Sequence, residues 1–284
     1  MRLATIVEDE RLSAAVVEGR RVLPLAVPGT GLDSVRAIAA GGEAGLRRVG
    51  EWVLGQPARA YRALDDVVLG PAVPDPGAIY TIGLNYAAPG EAPPSGTEPE
   101  RPLVYGKLPS SVTGHGAPVA WDRTLTSNVD AEVELAVVIG AGRAGTADDR
   151  PLERVFGYTC VNDISSRDPW LDGDQWLLGK SMAGFCPVGP WVVTADELDP
   201  ADLRLGCTVN GVAQQEDRTS RMRHPIGALI AYLGRHVELR PGDLLVTGTP
   251  ARLAAPPGPD RHLQPGDVVT VWIEGIGQLT NPIG

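Results

Sequence analysis

The stretch DAEVELAVVIG, Asp130 to Gly140, is an apolar run that opens on acids and closes on glycine. Apolar and β-branched residues fit a pleated, buried surface, so the run predicts a strand. In a strand alternate residues share a face. Asp130, Glu132 and Glu134 therefore lie on one side, which Ala136 and Val138 continue. That face passes from acidic to buried within two residues. Two carboxylates at the rim of a core repel each other and lose hydration unless a cation neutralises them. VNDISSRD supplies Asp163 and Asp168 directly after the apolar strand FGYTCV, and Asp163 stands at that strand's end. Sites made only of oxygen ligands suit Mg²⁺, Mn²⁺ or Ca²⁺ rather than zinc. Taken alone, the pattern leaves two readings open: a divalent-metal site and a solvated strand edge.

Outward from this strand, Gly (35) and Pro (26) punctuate short β-branched runs, which predicts many strands and few long helices. RLATIVE, SAAVVEG and RRVLPL open the chain as a small β unit. A helix is predicted over Glu43–Leu54, with Leu46, Val49, Trp52 and Val53 on one face. GPAVPDPG then marks a boundary between a small N-terminal β-rich domain, residues 1–72, and a larger domain, residues 73–284, that starts with AIYTIGLNY. PLVYGK, VELAVVIG, FGYTCVNDI, GPWVVT, CTVNGV, DLLVTGT and DVVTVWIEG read as further strands. RPGD before LLVTGT and QPGD before VVTVWIEG read as turns into two hairpin arms of one sheet. A second helix is predicted over Pro225–Leu233. The pattern is a β-rich mixed α+β fold, without GxGxxG or GxxxxGK[ST]. Ala87–Arg101 is too rich in proline for regular structure and reads either as a binding loop or as a plain surface loop.

The 284 residues allow one large domain, or a large and a small one, and 43% hydrophobic content suffices for a core. A net charge of −10 with no basic stripe argues against nucleic acid as a partner. MRLATIVEDERL lacks the apolar region of a signal peptide, and no apolar run is long enough to span a membrane, so a cytoplasmic location is expected. Cys160, Cys186 and Cys207 form no CxxC pair and read as buried thiols.

The chain resembles the fumarylacetoacetate hydrolase family over nearly its whole length. The resemblance is carried by IGLNY (Ile82–Tyr86), EVELAVVIG (Glu132–Gly140), GYTCVNDISSRD (Gly157–Asp168), GKS (Gly179–Ser181) and CPVGPWVVTADEL (Cys186–Leu198). It continues through VNG, Gln215 and Thr219 to LRPGDLLVTGTP (Leu239–Pro250) and LQPGDVVTVWIEGIGQLTN (Leu263–Asn281). The resemblance implies a mixed β-sandwich roll, a homodimer, and a Mg²⁺ or Mn²⁺ site. Its E-x-E and NDxSxRD motifs place the metal ligands at Glu132, Glu134 and Asp163. Its GKS lysine falls on Lys180, a catalytic candidate that would donate or accept a proton if its pKa were lowered. Its TGTP loop falls on Thr247–Pro250, with Gly248 and Thr249 at the substrate and Thr249 the contact to a carboxylate. Tyr86 of IGLNY is expected there too. The family acts on 2-oxo and β-diketo acids by polarising the carboxylate and its neighbouring oxygen with a metal, so that charge can develop on an enolate.

Two positions depart from the family pattern. Hydrolytic members carry a histidine soon after GLNY, paired with a glutamate, to activate water. Here Pro89 holds that position and only Glu91 remains nearby as a catalytic candidate. Ala183 replaces an aspartate three residues after Lys180. His115 reads as structural. Arg167, Gln215 and Lys107 are further pocket candidates; their plainer readings are a sheet-edge ion pair, a turn hydrogen bond and a solvated side chain. Three functional readings follow. The first is a metal-dependent hydrolase cleaving a C–C bond of a 2-oxo or β-diketo acid, with Glu91 or metal-bound hydroxide in place of the dyad. The second is a tautomerase, isomerase or decarboxylase needing only enolate stabilisation. The third is a non-catalytic scaffold, which would have no use for Glu132, Glu134, Asp163 and Lys180, and which failure to bind metal would favour.

Overall fold

In the computed structural model, residues 1–25, 31–91, 101–141, 150–172, 175–253 and 262–284 are described. The chain opens as an antiparallel meander of Arg2–Glu8 (β1), Arg11–Glu18 (β2) and Arg21–Pro24 (β3). A helix, α1, spans Val35–Leu54, and Ser34 caps it by accepting from the Ala37 N–H at 3.1 Å. It is kinked at Gly42, whose φ of 54° and ψ of −143° lie outside helical space. The predicted helix is the part after this kink; the glycine pair hid the part before it.

The following strands are Ile79–Gly83 (β4), Leu103–Lys107 (β5), Val133–Ile139 (β6), Val155–Asn162 (β7) and Cys186–Thr194 (β8). Next come Arg204–Val209 (β9), Val212–Arg218 (β10), the helix Ile226–Gly234 (α2), Leu244–Val246 (β11), Val268–Ile273 (β12) and Gly277–Pro282 (β13). CTVNGV is not one strand. Asn210 and Gly211 take φ of 52° and 78° and turn β9 into β10, as Asn-Gly does in a two-residue hairpin. The two PGD turns also do not feed one sheet: β11 belongs to the large sheet and β12 to the small one.

Among the described residues a twelve-stranded sheet runs from β3 through β2, β1, β8, β7, β6, β11 and β4 to β5, with one short strand beside β3 and two more pairing with β1 and β8 off this path. A four-stranded sheet runs β10-β9-β12-β13. Every residue of β6 is buried. Val133, Leu135, Val137 and Ile139 pack with Leu205, Val271 and Leu279 of the small sheet and with α2. Ala136 and Val138 face the opposite way, into a cluster with Val35, Ile38 and Val49 of α1. The alternation expected for DAEVELAVVIG is thus present, but both faces are covered. Residues 92–100 of the proline-rich loop lie outside the described residues, and 87–91 hold no regular element.

Candidate active site

Strand register brings the acids together. β6 and β7 pair antiparallel with Val133 opposite Asn162. One residue beyond, the Asp163 N–H donates to the Glu132 carbonyl at 2.9 Å. On the other side of β6 the Thr247 N–H donates to the Leu135 carbonyl at 3.0 Å, and the chain continues from β11 to Gly248. The Gly248 N–H donates to Glu134 Oε2 at 2.5 Å. Glu132, Glu134 and Asp163 are 9%, 1% and 0% exposed, and one carboxylate oxygen from each lies within 4.8 Å of the others.

Two lysines reach this cluster. A short helical turn, Trp176–Gly179, delivers Lys180, whose Nζ donates to Asp163 Oδ2 at 2.6 Å, Ser165 Oγ at 2.6 Å and Glu132 Oε2 at 2.9 Å. Lys107 ends β5 and donates to Asp163 Oδ1 at 2.5 Å and the Ile164 carbonyl at 3.2 Å. It is 3% exposed, so the solvated reading of this residue is overturned. Burial opposes ionisation of Asp163, yet the two lysines outweigh it and hold its carboxyl down to about 2. Burial likewise opposes the Lys180 charge, and the three carboxylates overcome it and hold its pKa above the ordinary lysine value. The lowered lysine pKa on which a proton-transfer role was conditioned is absent from this arrangement.

Glu134 differs. Burial, then repulsion from Asp163 and Glu132, pushes its carboxyl well above the usual range. Its hydrogen-bond partner is the Gly248 amide, and among the described residues no cationic side chain stands at ion-pair distance. A buried carboxylate with spare acceptor capacity, clustered with two others, fits a hard divalent cation.

The remaining candidates fall around an 840 Å³ cavity that Glu132, Glu134 and Lys180 line. Arg167 donates to Glu132 Oε1 and, at 3.3 Å, to Asp130 Oδ2; it is an ion pair at the cavity wall. Gln215 is 2% exposed and makes more than a turn bond: it accepts from the Val133 N–H at 2.9 Å and donates to Thr249 Oγ1 at 2.8 Å and the Pro250 carbonyl at 2.6 Å. Thr249 Oγ1 donates to the Val133 carbonyl at 2.9 Å. Tyr86 lines the cavity, 7% exposed, and its hydroxyl has no hydrogen-bond partner among the described residues.

Glu91 is not brought to the acids and does not line the cavity. Its Oε2 accepts from the Ala88 N–H at 2.9 Å and from Arg223 Nη2 at 2.7 Å, and these contacts hold its carboxyl below the usual range. Ala183 is exposed, and the Ser165 hydroxyl fixes Lys180 instead. His115 lies at a second cavity, where its Nδ1 accepts from the Thr280 N–H at 3.2 Å.

Sequence reasoning missed Tyr105, whose hydroxyl donates to Asp163 Oδ2 at 3.0 Å, and Ser165. Tyr105 stands two residues before Lys107 on one strand, and Ser165 two after Asp163, so same-face spacing was the signal for both. It also missed His262, which meets Asp130 Oδ1 at 2.8 Å from far along the chain, where no spacing could show it.

A mixed sheet gathers three buried carboxylates and a lysine at its strand ends, with Glu132, Glu134 and Lys180 on a partly open cavity, and this donor set fits a divalent cation. The model of the fumarylacetoacetate hydrolase C-terminal domain matches residues 78–284, and the chain belongs to that family. The structure superposes on fumarylacetoacetate hydrolase (EaFAH) from Exiguobacterium antarcticum with a TM-score of 0.83 and 32% identity, covering 100% of this chain and 99% of the other. It also matches 2-hydroxyhepta-2,4-diene-1,7-dioate isomerase from Mycobacterium marinum (TM-score 0.76, 32% identity, 100% and 98% covered). A third match is maleylpyruvate hydrolase from Sphingobium sp. SYK-6 in complex with manganese(II) and pyruvate (TM-score 0.79, 28% identity, 100% and 98% covered). The β-rich fold is therefore the family's fold, and these three relatives are named as two hydrolases and an isomerase.

Proposed function

We propose that the chain is a divalent-metal-dependent enzyme acting on a 2-oxo or β-diketo acid through an enolate, with hydrolytic C–C cleavage as the outcome. The observation that carries this reading is the buried cluster of Glu132, Glu134 and Asp163, the first two of which line the cavity. These three residues would hold Mg²⁺ or Mn²⁺. Bound there, the ion supplies Lewis acidity for charge developing on a substrate oxygen. The side chains divide the other tasks. Lys180 Nζ, held by Asp163, Glu132 and Ser165, presents an ammonium that stabilises an enolate. Gln215 and Thr249 hold the loop after β11 against β6, and Thr249 is assigned to the substrate carboxylate. The Tyr86 hydroxyl, without a partner among the described residues, and the Gly248 segment are assigned to orienting the substrate. The segment 73–284 carries the chemistry, in keeping with the family match over 78–284.

One observation favours a second outcome. Pro89 cannot take a proton, and Glu91 is tied to Arg223 outside the cavity lining. A tautomerase, isomerase or decarboxylase needs the enolate but no activated water. A homodimer is also proposed: Leu103 and Val104 on the edge strand β5, with Leu177 and Leu178 nearby in sequence to Lys180, expose apolar side chains that a second copy would cover.

The test is proton NMR in D₂O with Mg²⁺, offering oxaloacetate and an acylpyruvate to the wild type and to Glu132→Ala. Pyruvate with a released acid, absent in the variant, is the hydrolytic outcome. Deuterium at C3 without breakdown products assigns the non-hydrolytic one, and pyruvate with CO₂ assigns decarboxylation. No exchange and no product would overturn the reading.

A further inference from the structure

A second cavity, of 910 Å³, shares no lining residue with the acid-lined one. It lies where the N-terminal unit meets the rest of the chain. Leu64, Val67 and Leu69 line it from one side of that boundary, and Val112, Pro190 and Trp191 from the other. Its volume falls among those of small-molecule sites, roughly 300–1,000 Å³. Among the described residues Arg20 and Asp65 are the charged side chains on its wall, and they pair with each other. The wall therefore carries no net charge. His115 adds one directed polar group. The Thr280 N–H donates to its Nδ1 at 3.2 Å, so the neutral ring carries its hydrogen on Nε2. Burial lowers the imidazole pKa and keeps the ring neutral near pH 7. Nε2 makes no hydrogen bond among the described residues. The segment that carries the ring is pinned on both sides. The Gly116 N–H donates to the Thr280 carbonyl at 2.8 Å, and Asn281 Nδ2 donates to the Gly114 and Ala117 carbonyls at 2.8 and 2.9 Å. Gly114 lies directly on the boundary: a Cβ there would stand 2.5 Å from the Gly70 carbonyl carbon.

We propose that this cavity is a second ligand site, for a neutral and mainly apolar small molecule bearing a carbonyl oxygen that the His115 Nε2–H recognises. Three features select that chemistry. Apolar walls favour a ligand that removes apolar surface from water. Trp191 adds a flat wall whose orientation is set by its Nε1, which donates to the Ile276 carbonyl at 2.8 Å. A wall without net charge offers nothing to offset the desolvation of a carboxylate or an ammonium, so charged ligands are disfavoured. A fixed N–H without a protein partner gains a hydrogen bond from an oxygen acceptor and from nothing that lacks one. A pinned single donor in a recess between two parts of one chain suits a small molecule rather than the face of a second copy. None of these groups takes part in the reaction proposed above.

Two probes of one outline test the idea by fluorine NMR on the full chain: 4-fluoroacetophenone, which has the carbonyl, and 4-fluoroethylbenzene, which lacks it. Fragments of this size are expected to bind at about millimolar strength. The wild type is expected to hold 4-fluoroacetophenone severalfold more tightly, as for one neutral hydrogen bond. His115→Phe should bring the ketone down to the level of the hydrocarbon and leave the hydrocarbon unchanged. Val68 also lines the cavity and is 64% exposed, so Val68→Trp should fold normally, fill the space and abolish binding of both probes. Excess benzoate, an anion of the same outline, should not displace the ketone. Absence of ketone binding, equal affinity of the wild type for the two probes, displacement by benzoate, or binding unaltered by Val68→Trp each overturns the proposal. So does binding that falls as protein concentration rises and a dimer forms, which would assign the cavity to a second copy. Because Val68 is exposed, its variant tests the idea even if His115→Phe does not fold.

Discussion

Lys107 shows what a single buried charge does in this protein. Its ammonium and the Asp163 carboxylate are both sealed from solvent, 2.5 Å apart. Removing Lys107 leaves the unsolvated Asp163 carboxylate short of one of its two cationic partners, with Lys180 alone on its other oxygen. Lys107→Met is expected to cost about 3–5 kcal/mol, read from urea unfolding midpoints. Arg20→Gln breaks an ion pair whose members are 77% and 72% exposed, and is expected to cost at most about 1 kcal/mol. Equal costs for the two would show that Lys107 is not the counter-charge of Asp163. Glu132, Glu134 and Asp163 were legible in the sequence because strand alternation and a strand end placed them. The burial of Lys107 was not, because it depends on β5 lying beside β4, a pairing between segments about twenty residues apart. Arg167 and Gln215 were legible as candidates, while their partners, Glu132 and Thr249, were supplied by the fold.

At the scale of elements, β6 carries most of the organisation. It is the strand on which both cores meet, and it stands between β7 and β11, which supply Asp163 and Gly248. The short hairpins were partly legible: Asn210-Gly211 is a strong turn signal, yet reading CTVNGV as one strand passed over it. The segment 114–117 meets β13 through a pH-sensitive contact. His115 Nδ1 must keep its lone pair to accept from the Thr280 N–H, and burial lowers the imidazole pKa below 6.5. The unfolded chain therefore takes up the proton first. The stability His115 contributes is complete above pH 6.5 and is lost as pH falls through the lower folded-state value. His115→Asn is expected to flatten this part of the acid-side loss in urea midpoints taken on either side of pH 6.5. An unchanged slope would remove His115 from the account.

For the whole molecule, the cavity and the core share one cluster of charges, so filling the site should be felt as global stability. An ion that binds only the folded chain stabilises by about 2.7 kcal/mol at a hundred times its Kd. Mg²⁺ or Mn²⁺ is expected to raise Tm by on the order of 5 °C, chelation to reverse it, and Glu134→Ala to abolish the response. A melting curve indifferent to both ions would leave the three carboxylates without a cation.

The sequence by itself determined the strand-rich class, the alternation along DAEVELAVVIG, both helices in outline and the acids that end up together. These follow from side-chain period and turn chemistry, which are local. Only the tertiary structure decided that both faces of β6 are buried, that β11 and β12 join different sheets, that Lys107 is sealed against Asp163, and that Glu91 faces Arg223 rather than the acids. Each of these depends on which distant segments become neighbours. That is set by the packing of whole sheets and helices, and no spacing along the chain records it.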